Sequence, residues 1–217
     1  MKKLLLVGAL ALLGTHINAQ EVRFGAKAGY SLSTLKIKDN GQSESSDPMH
    51  TFYVGGLVEY KISDKFGIQG EVLYSPLGGK IDENVIEEGA FIKVKAKTIL
   101  GTLLVPVSAK YFITENLSVS AGASFGFILS AKQKYVVDAG LGLPGLELST
   151  GDDVDIKDQV NTLNIAPFLG AEYALENGLF FDARYNLGVS NLAKDSGDGK
   201  MTNSFLQVGV GFKFGGN

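Results

Sequence analysis

Apolar and polar residues alternate with a period of two along most of the chain, in segments of about ten residues. This alternation is typical of β-strands whose two faces meet different surroundings, and it differs from the 3.6-residue period of an amphipathic helix. Eight segments predict eight strands, at residues 22–32, 51–62, 66–75, 98–112, 117–130, 159–175, 179–190 and 203–214.

The connections between these segments alternate in length. Three are tight, at residues 63–65, 113–116 and 176–178, and four are long, at residues 35–50, 76–92, 131–158 and 191–202. An even number of strands with short turns at one end and long loops at the other is typical of outer-membrane barrels. The pattern therefore predicts an all-β fold, an eight-stranded antiparallel up-and-down transmembrane β-barrel.

The charged side chains of the predicted strands share one face, whereas the other face carries no charge through the central stretch of any strand. Each apolar face is long enough for a tilted strand to cross the hydrocarbon. A Lys or Arg turned to lipid at mid-depth would cost roughly 2–4 kcal/mol, so the charged face belongs inside. The side chains predicted to form a lumen-facing polar network are Arg23, Lys27, Glu59, Lys61, Gln69, Glu71, Lys110, Glu172, Asp182, Arg184, Gln207 and Lys213.

Aromatic residues on the apolar face lie near the ends of the strands, as expected of the two interfacial belts of a membrane barrel. The belt at the short turns is predicted to contain Phe24, Tyr60, Phe66, Tyr111, Tyr173 and Phe212. The belt at the long loops is predicted to contain Tyr30, Phe52, Tyr74 and Phe127. Pro106 and Pro167 fall in mid-strand, where proline cannot donate to the ladder, and we expect a β-bulge at each.

The first nineteen residues read as a secretory signal peptide. Lys2 and Lys3 precede an apolar run at residues 4–13, and Ala19 is a suitable cleavage position. We therefore divide the chain into a signal peptide, residues 1–19, and a barrel domain, residues 20–217. The formal net charge of −3 becomes −5 once both lysines leave with the leader, which disfavours nucleic acid as a partner.

Four stretches carry a family resemblance: RFGAKAGYSLS at residues 23–33, VPVSAKYF at 105–112, GLFFDARYNLGVSNL at 178–192 and LQVGVGFKF at 206–214. With these stretches the chain resembles the small outer-membrane barrels of Bacteroidetes, often called porin-family or PorT-like proteins. The resemblance implies an eight-stranded barrel inserted by the outer-membrane assembly machinery, which reads a C-terminal aromatic strand. Here Phe214 is followed by residues 215–217, so that signal is not strictly terminal.

Composition limits the chemistry. The chain has no Cys, which excludes disulfides, Cys-ligated zinc, iron–sulfur clusters and thiol catalysis. His50 is the one histidine outside the leader, and it stands in a predicted loop near Ser45, Ser46 and Asp47. These neighbours make a weak candidate for a lipid-modifying barrel enzyme, and we expect no catalytic site. We also expect no cofactor and no metal, since the acidic stretches 151–158 and 195–200 do not match a calcium-binding EF-hand loop.

An eight-stranded barrel is just wide enough inside for side chains to fill it, so the charged residues are expected to form a plug. The protein is then an integral outer-membrane protein with a structural or surface-interaction role. The alternative is a small porin with a narrow pore lined by Arg23, Glu59, Glu71, Lys110, Glu172, Asp182 and Arg184. A role in protein secretion rests on the PorT-like resemblance alone.

The expected partners are outer-membrane lipid, the assembly machinery during insertion, and an extracellular ligand of the long loops. Lys93, Lys95 and Lys97 share one face just above the apolar band of the fourth predicted strand. Either contact with lipopolysaccharide phosphates or a solvated extension of the strand explains these three lysines.

Overall fold

A computed structural model describes residues 22–39, 41–87, 90–140, 147–194 and 199–215 of the chain. Along the chain its elements are β1 (Val22–Asp39), β2 (Gln42–Ser45), β3 (Met49–Lys61), β4 (Phe66–Glu87), β5 (Ala90–Phe112), β6 (Leu117–Gly140), β7 (Glu147–Asp155), a 3-10 turn (Lys157–Gln159), β8 (Leu163–Ala174), β9 (Leu179–Asn186) and β10 (Lys200–Phe214). No helix within these described ranges is long and apolar enough to cross a membrane. The predicted cleavage position at Ala19 lies outside the described residues.

Eight of the strands form a closed antiparallel ring. The order is β1, β3, β4, β5, β6, β8, β9 and β10, and β10 pairs with β1 to close it. Ring closure pairs every strand on both sides, so no unpaired backbone edge remains at the level of the barrel wall. The predicted all-β, eight-stranded up-and-down barrel is confirmed.

Two further strands, β2 and β7, lie outside the ring and pair with β1 and β6. They lie within two of the predicted long loops, 35–50 and 131–158, and β4 and β5 extend into a third, 76–92, so these three predictions were wrong in part. The β4–β5 ladder continues to the pair Glu87–Ala90, and β6 continues to Gly140. These extensions were missed because, outside the hydrocarbon, a strand no longer needs an uncharged apolar face.

The expected bulges at Pro106 and Pro167 are wrong. Pro106 pairs with Ser124, and Pro167 pairs with Ala123, both without a shift of register. Instead, the β4–β5 ladder is simply interrupted beside Pro106, which has no N–H to donate. The register shift lies between Gly101 and Thr102, so that β6 accommodates one extra residue there.

The short turns are held by side chains that accept backbone hydrogen bonds. The Ser63 hydroxyl accepts from the N–H of Phe66 at 3.1 Å, and the Thr114 hydroxyl accepts from the N–H of Leu117 at 3.0 Å. The Asn177 amide oxygen accepts from the N–H of Leu179 at 3.1 Å. These local bonds explain why three tight connections could be placed correctly from the sequence.

The barrel carries apolar side chains on its outer surface and charged side chains inside, the reverse of a soluble protein. The outer wall exposes apolar side chains on every strand of the ring, for example Leu169 at 71% exposure. The charged side chains Lys27, Glu59 and Lys110, in contrast, are at most 4% exposed. Such an apolar belt around a closed sheet suits a hydrocarbon environment.

Candidate functional site

Four charged side chains form a closed ring across the lumen near the short-turn end. They are Glu59 on β3, Lys110 on β5, Glu172 on β8 and Lys213 on β10, so they come from every second strand of the barrel. In a sheared barrel the inward residues of alternate strands fall at one height, and the staggered strands place these four side chains in one layer. We call this layer the charge ring.

Signs alternate around the charge ring, and each ammonium therefore lies between two carboxylates. Lys110 Nζ is 2.5 Å from Glu59 Oε2 and 2.8 Å from Glu172 Oε1. Lys213 Nζ is 2.7 Å from Glu59 Oε2 and 2.5 Å from Glu172 Oε1. The four ion pairs make the layer electrically neutral, which buried charges require because an unpaired one is costly in a low-dielectric interior.

A second neutral set lies one layer further from the short turns, and we call it the upper cluster. It contains Lys27, Glu71, Asp182 and Arg184. Lys27 Nζ lies 2.8 Å from Asp182 Oδ2 and 3.2 Å from Glu71 Oε2. Arg184 donates from Nη1 to Glu71 Oε1 at 2.9 Å, and its guanidinium stacks over the Phe168 ring at 5.2 Å.

Gln69 and Gln207 join the two layers to each other and to the barrel wall. Gln69 donates to Glu71 Oε1 at 2.7 Å and accepts from Lys110 at 3.2 Å, which links the upper cluster to the charge ring. Gln207 accepts from Arg184 Nε at 2.9 Å and donates to the Ser31 hydroxyl at 3.1 Å. The cavity between the layers has a volume of about 20 Å³, room for about one water molecule.

Above the charged layers the lumen is filled by apolar side chains. One cluster comprises Tyr53, Leu73, Leu77, Leu104, Ala166 and Phe205. A second cluster near the long-loop end comprises Leu35, Leu100, Ile128, Ala131, Val160 and Leu192. The interior is thus closed by two charged layers and two apolar ones in series.

Tyr53 occupies a space that two glycines leave open. The phenol is fully buried, and it donates to Asp182 Oδ1 at 3.4 Å. A Cβ built on Gly209 would collide with the Tyr53 hydroxyl, and one built on Gly29 would lie 2.8 Å from the ring. Glycine is therefore required by the close approach of this ring to β1 and β10.

Comparison with known proteins fits this geometry. The family model described as outer membrane protein beta-barrel domain matches residues 18–194. The chain belongs to this outer-membrane barrel family. A search of the curated proteins finds no match to its sequence.

Among solved structures, this outer-membrane barrel is similar to several small barrels. Ail, the attachment invasion locus protein of Yersinia pestis, is 16% identical, with 89% of this chain and 99% of that chain covered and a TM-score of 0.45. Neisserial surface protein A is 18% identical, with coverage of 88% and 97% and a TM-score of 0.40. OprG from Pseudomonas aeruginosa is 14% identical, with coverage of 90% and 97% and a TM-score of 0.42. At these identities the similarities carry no information about what this outer-membrane barrel binds.

Two of the twelve predicted lumen residues do not join the charged layers. Lys61 lies at the short-turn rim, where its side chain is 38% exposed and 3.7 Å from Asp64. Arg23 is half-buried at the same rim and pairs in register with Glu59, without an ion pair within the described part of the chain. The first layer that the wall shields from solvent begins further along each strand, so Lys61 and Arg23 lie outside the charge ring and the upper cluster.

Nine of the ten predicted belt aromatics are exposed on the outer wall, and Tyr60 is half-buried. Phe66 and Tyr111 contact each other across β4 and β5, with ring centroids 5.2 Å apart. Phe24 stacks on Phe214, which adds a further aromatic to the short-turn end. Their placement at the membrane interfaces stays a prediction.

The outer-membrane barrel does not bring His50 together with Ser45, Ser46 and Asp47. His50 is exposed on β3, and its Nδ1 is hydrogen-bonded to the Tyr30 hydroxyl. Ser46 instead accepts from the N–H of Leu35 at 3.0 Å. Within the described ranges, no three His, Asp or Glu side chains are grouped so that they could hold a metal ion.

Several interior residues were missed by the sequence prediction because they are uncharged. Asn203 donates to the Ser33 hydroxyl at 2.9 Å, and Ser124 donates to Asn186 at 2.7 Å, all four being buried. The leucines and Phe205 of the apolar clusters were missed for the same reason. The signal was nonetheless present, because Leu73 and Leu104 lie on the same face of their strands as the charged residues.

Proposed function

We propose that this protein is an integral outer-membrane barrel with a closed, non-conducting interior, and that its long-loop end serves surface interaction. The observation that carries the proposal is the filling of the lumen at successive levels, by the charge ring, the upper cluster and two apolar clusters. The cavity between the charged layers measures about 20 Å³, and the charged side chains that line it neutralise one another.

A permeating ion would meet two successive barriers in the lumen, the charged layers and the apolar clusters. It would first have to separate ion pairs such as Lys213–Glu59, and each such separation leaves buried charges uncompensated. It would then have to pass the two apolar clusters and buried amides such as Asn186 and Asn203, which are already hydrogen-bonded inside the barrel. Both barriers favour a plug over the small-porin alternative.

The strands that continue beyond the ring support the surface role. β4, β5, β6 and β7 pair in that order, and β7 lies outside the ring. This four-stranded extension stands on the rigid barrel at the long-loop end, where outer-membrane barrels face the exterior. Surface segments on a rigid scaffold are common sites of recognition, and we propose an extracellular ligand for this extension. For insertion, we propose that the assembly machinery recognises β10, whose last residue is Phe214.

Planar-bilayer recording tests the closed interior. Refolded full-length mature protein is expected to give no stepwise current at any voltage, whereas a general porin reconstituted in parallel gives steps. Unitary steps from protein that migrates as folded on a cold gel would overturn the closed interior and support the small porin. Proteoliposome swelling with small sugars provides an independent readout.

We propose further that the protein is not an enzyme. The exposed His50 imidazole is hydrogen-bonded at Nδ1 to the Tyr30 hydroxyl, whereas a catalytic triad would place an acid there. Incubation of the refolded barrel with outer-membrane phospholipids, followed by mass spectrometry, should leave the lipids unchanged. Hydrolysis or acyl transfer that disappears in His50→Ala would contradict this proposal.

A further inference from the structure

A groove opens on the outer wall of the barrel at the long-loop end, beside the seam that closes the ring. Its volume is about 250 Å³, and it lies between β1, β10 and the chain that follows β9. It is lined by Lys36, Lys38, Leu187, Gly188, Val189, Lys200, Thr202 and Ser204.

The groove exists because the β9–β10 ladder ends early. The last register pair is Phe205–Asn186, after which the N–H of Gly188 donates to the Ser204 hydroxyl at 3.0 Å instead of to the backbone. On its other side the same segment stays bonded to β8, since the N–H of Leu187 donates to the Pro167 carbonyl at 2.9 Å. The chain after β9 therefore keeps its bonds to β8, and its next backbone bond to β10 is the one from the N–H of Leu192 to the Met201 carbonyl at 2.7 Å. The groove lies on the outer wall along this stretch, where the β9–β10 ladder is interrupted.

Three lysines line this groove without a counter-ion in the described part of the chain. Lys38 lies directly opposite Lys200 in the β1–β10 register, and Lys36 lies opposite Thr202. All three lysines are exposed on the outer face. Like charges placed opposite each other across a ladder destabilise it, so the arrangement favours a bound anion.

Below the lysines the groove becomes apolar. Leu187 and Val189 are exposed on the outer wall, at 51% and 44%, and Leu206 on β10 continues the apolar surface toward the short turns. The lysines thus stand where the hydrocarbon-facing wall ends, at the level of lipid headgroups. A ligand that fits both parts carries phosphate above and an acyl chain below.

We propose that this groove binds the phosphorylated lipid portion of lipopolysaccharide in the outer leaflet. The phosphate contacts Lys36, Lys38 and Lys200 as compact point charges, and one acyl chain packs along Leu187 and Val189. The proposal rests on the outer-membrane location of the barrel and does not depend on whether the lumen conducts. It differs from the sequence-based expectation, which assigned such contacts to Lys93, Lys95 and Lys97.

The opposite side of the barrel supplies a matched control. Lys95 and Lys97 on β5 and Lys132 on β6 are also exposed at the long-loop end, and none forms an ion pair with a described residue. None of these three lysines lines the groove. Replacing either set of three by glutamine removes the same charge from the same end of the molecule.

The test measures binding of purified bisphosphorylated lipid A to the full-length mature barrel in detergent, by native mass spectrometry and by titration. Lys36→Gln/Lys38→Gln/Lys200→Gln is expected to weaken binding on the order of 100-fold, at about fivefold for each cation near an anionic lipid surface. Lys95→Gln/Lys97→Gln/Lys132→Gln is expected to change it less than threefold. Heat-modifiable migration on gels verifies that both variants fold.

Ligand variation separates lipid from free phosphate. Dephosphorylated lipid A should bind at least tenfold more weakly, and inorganic phosphate alone should not compete at millimolar concentration. Leu187→Ala/Val189→Ala should weaken lipid A binding without altering the dependence on phosphate. Equal losses in the two lysine variants would overturn the groove in favour of a diffuse basic surface. Competition by inorganic phosphate alone, or an unchanged affinity in the first lysine variant, would overturn it outright.

Discussion

Arg184 and Glu71 form an ion pair across the full width of the barrel, from Nη1 to Oε1 at 2.9 Å, although 113 residues separate them in the chain. They stand on β9 and β4, which are four strands apart in a ring of eight and hence face each other. A barrel wide enough to hold a continuous water column could not bring these side chains into contact. The contact between these two side chains therefore shows that the lumen is narrow at this level.

Arg184→Lys is expected to lower the free energy of unfolding by about 1–3 kcal/mol, even though it keeps the charge. The planar guanidinium of Arg184 donates to both Gln207 and Glu71 and stacks on the Phe168 ring. A lysine ammonium cannot reproduce both donations in the same geometry, and it loses the stacking. Arg184→Met should cost more, about 3–5 kcal/mol, because Glu71 loses one of its two cations. Urea-induced unfolding in lipid vesicles, followed by tryptic digestion or far-UV circular dichroism, measures both. Equal effects of the two substitutions would contradict the role of the guanidinium geometry.

Glu59→Gln is expected to destabilise the barrel by about 3–5 kcal/mol, since Lys110 and Lys213 would then share the single carboxylate of Glu172. Adding Lys213→Met to this variant restores neutrality and should recover part of the loss. The same unfolding measurement applies.

Lys61→Gln is the matched control for the charge ring, because the Lys61 side chain is 38% exposed and lies 3.7 Å from its partner Asp64. A change below about 1 kcal/mol is expected there. If Glu59→Gln were as mild as Lys61→Gln, the charge ring would not contribute to stability.

Gly209→Ala is expected to cost about 1–3 kcal/mol, because the new methyl group collides with the Tyr53 hydroxyl and the surrounding wall cannot give way. Gly70→Ala serves as the control, since the nearest atom to its new Cβ is 3.9 Å away. Thermal unfolding on semi-native gels compares the two. A stable Gly209→Ala protein would show that the Tyr53 ring is not confined between β1 and β10.

Single cysteines test the orientation, and the absence of native cysteine makes the labelling unambiguous. Lys97→Cys, at the long-loop end, should react with a membrane-impermeant maleimide in intact cells. Asp64→Cys, in a short turn where the side chain is fully exposed, should react only after the outer membrane is permeabilised. The reverse pattern would place the long-loop end in the periplasm.

Local alternation was sufficient to recognise the barrel wall, because lipid and lumen impose opposite requirements on successive residues of a strand. It failed at residues 76–92, where the strands continue beyond the apolar band and charged residues such as Lys80 and Asp82 replace apolar ones. It also failed at Pro106, since the sequence shows a missing donor but not whether the neighbouring strand will bulge or simply leave a bond unmade.

The sequence by itself determined which face of each strand is inside, which turns are tight, and that the inward charges must be neutralised. Only the tertiary structure decided which charges meet. Ring closure and the stagger of the strands place Glu59, Lys110, Glu172 and Lys213 at one height, and they leave Arg23 outside that layer at the rim. Pairing depends on the register between strands that are remote in the chain, and the composition of a single strand carries no information about that register.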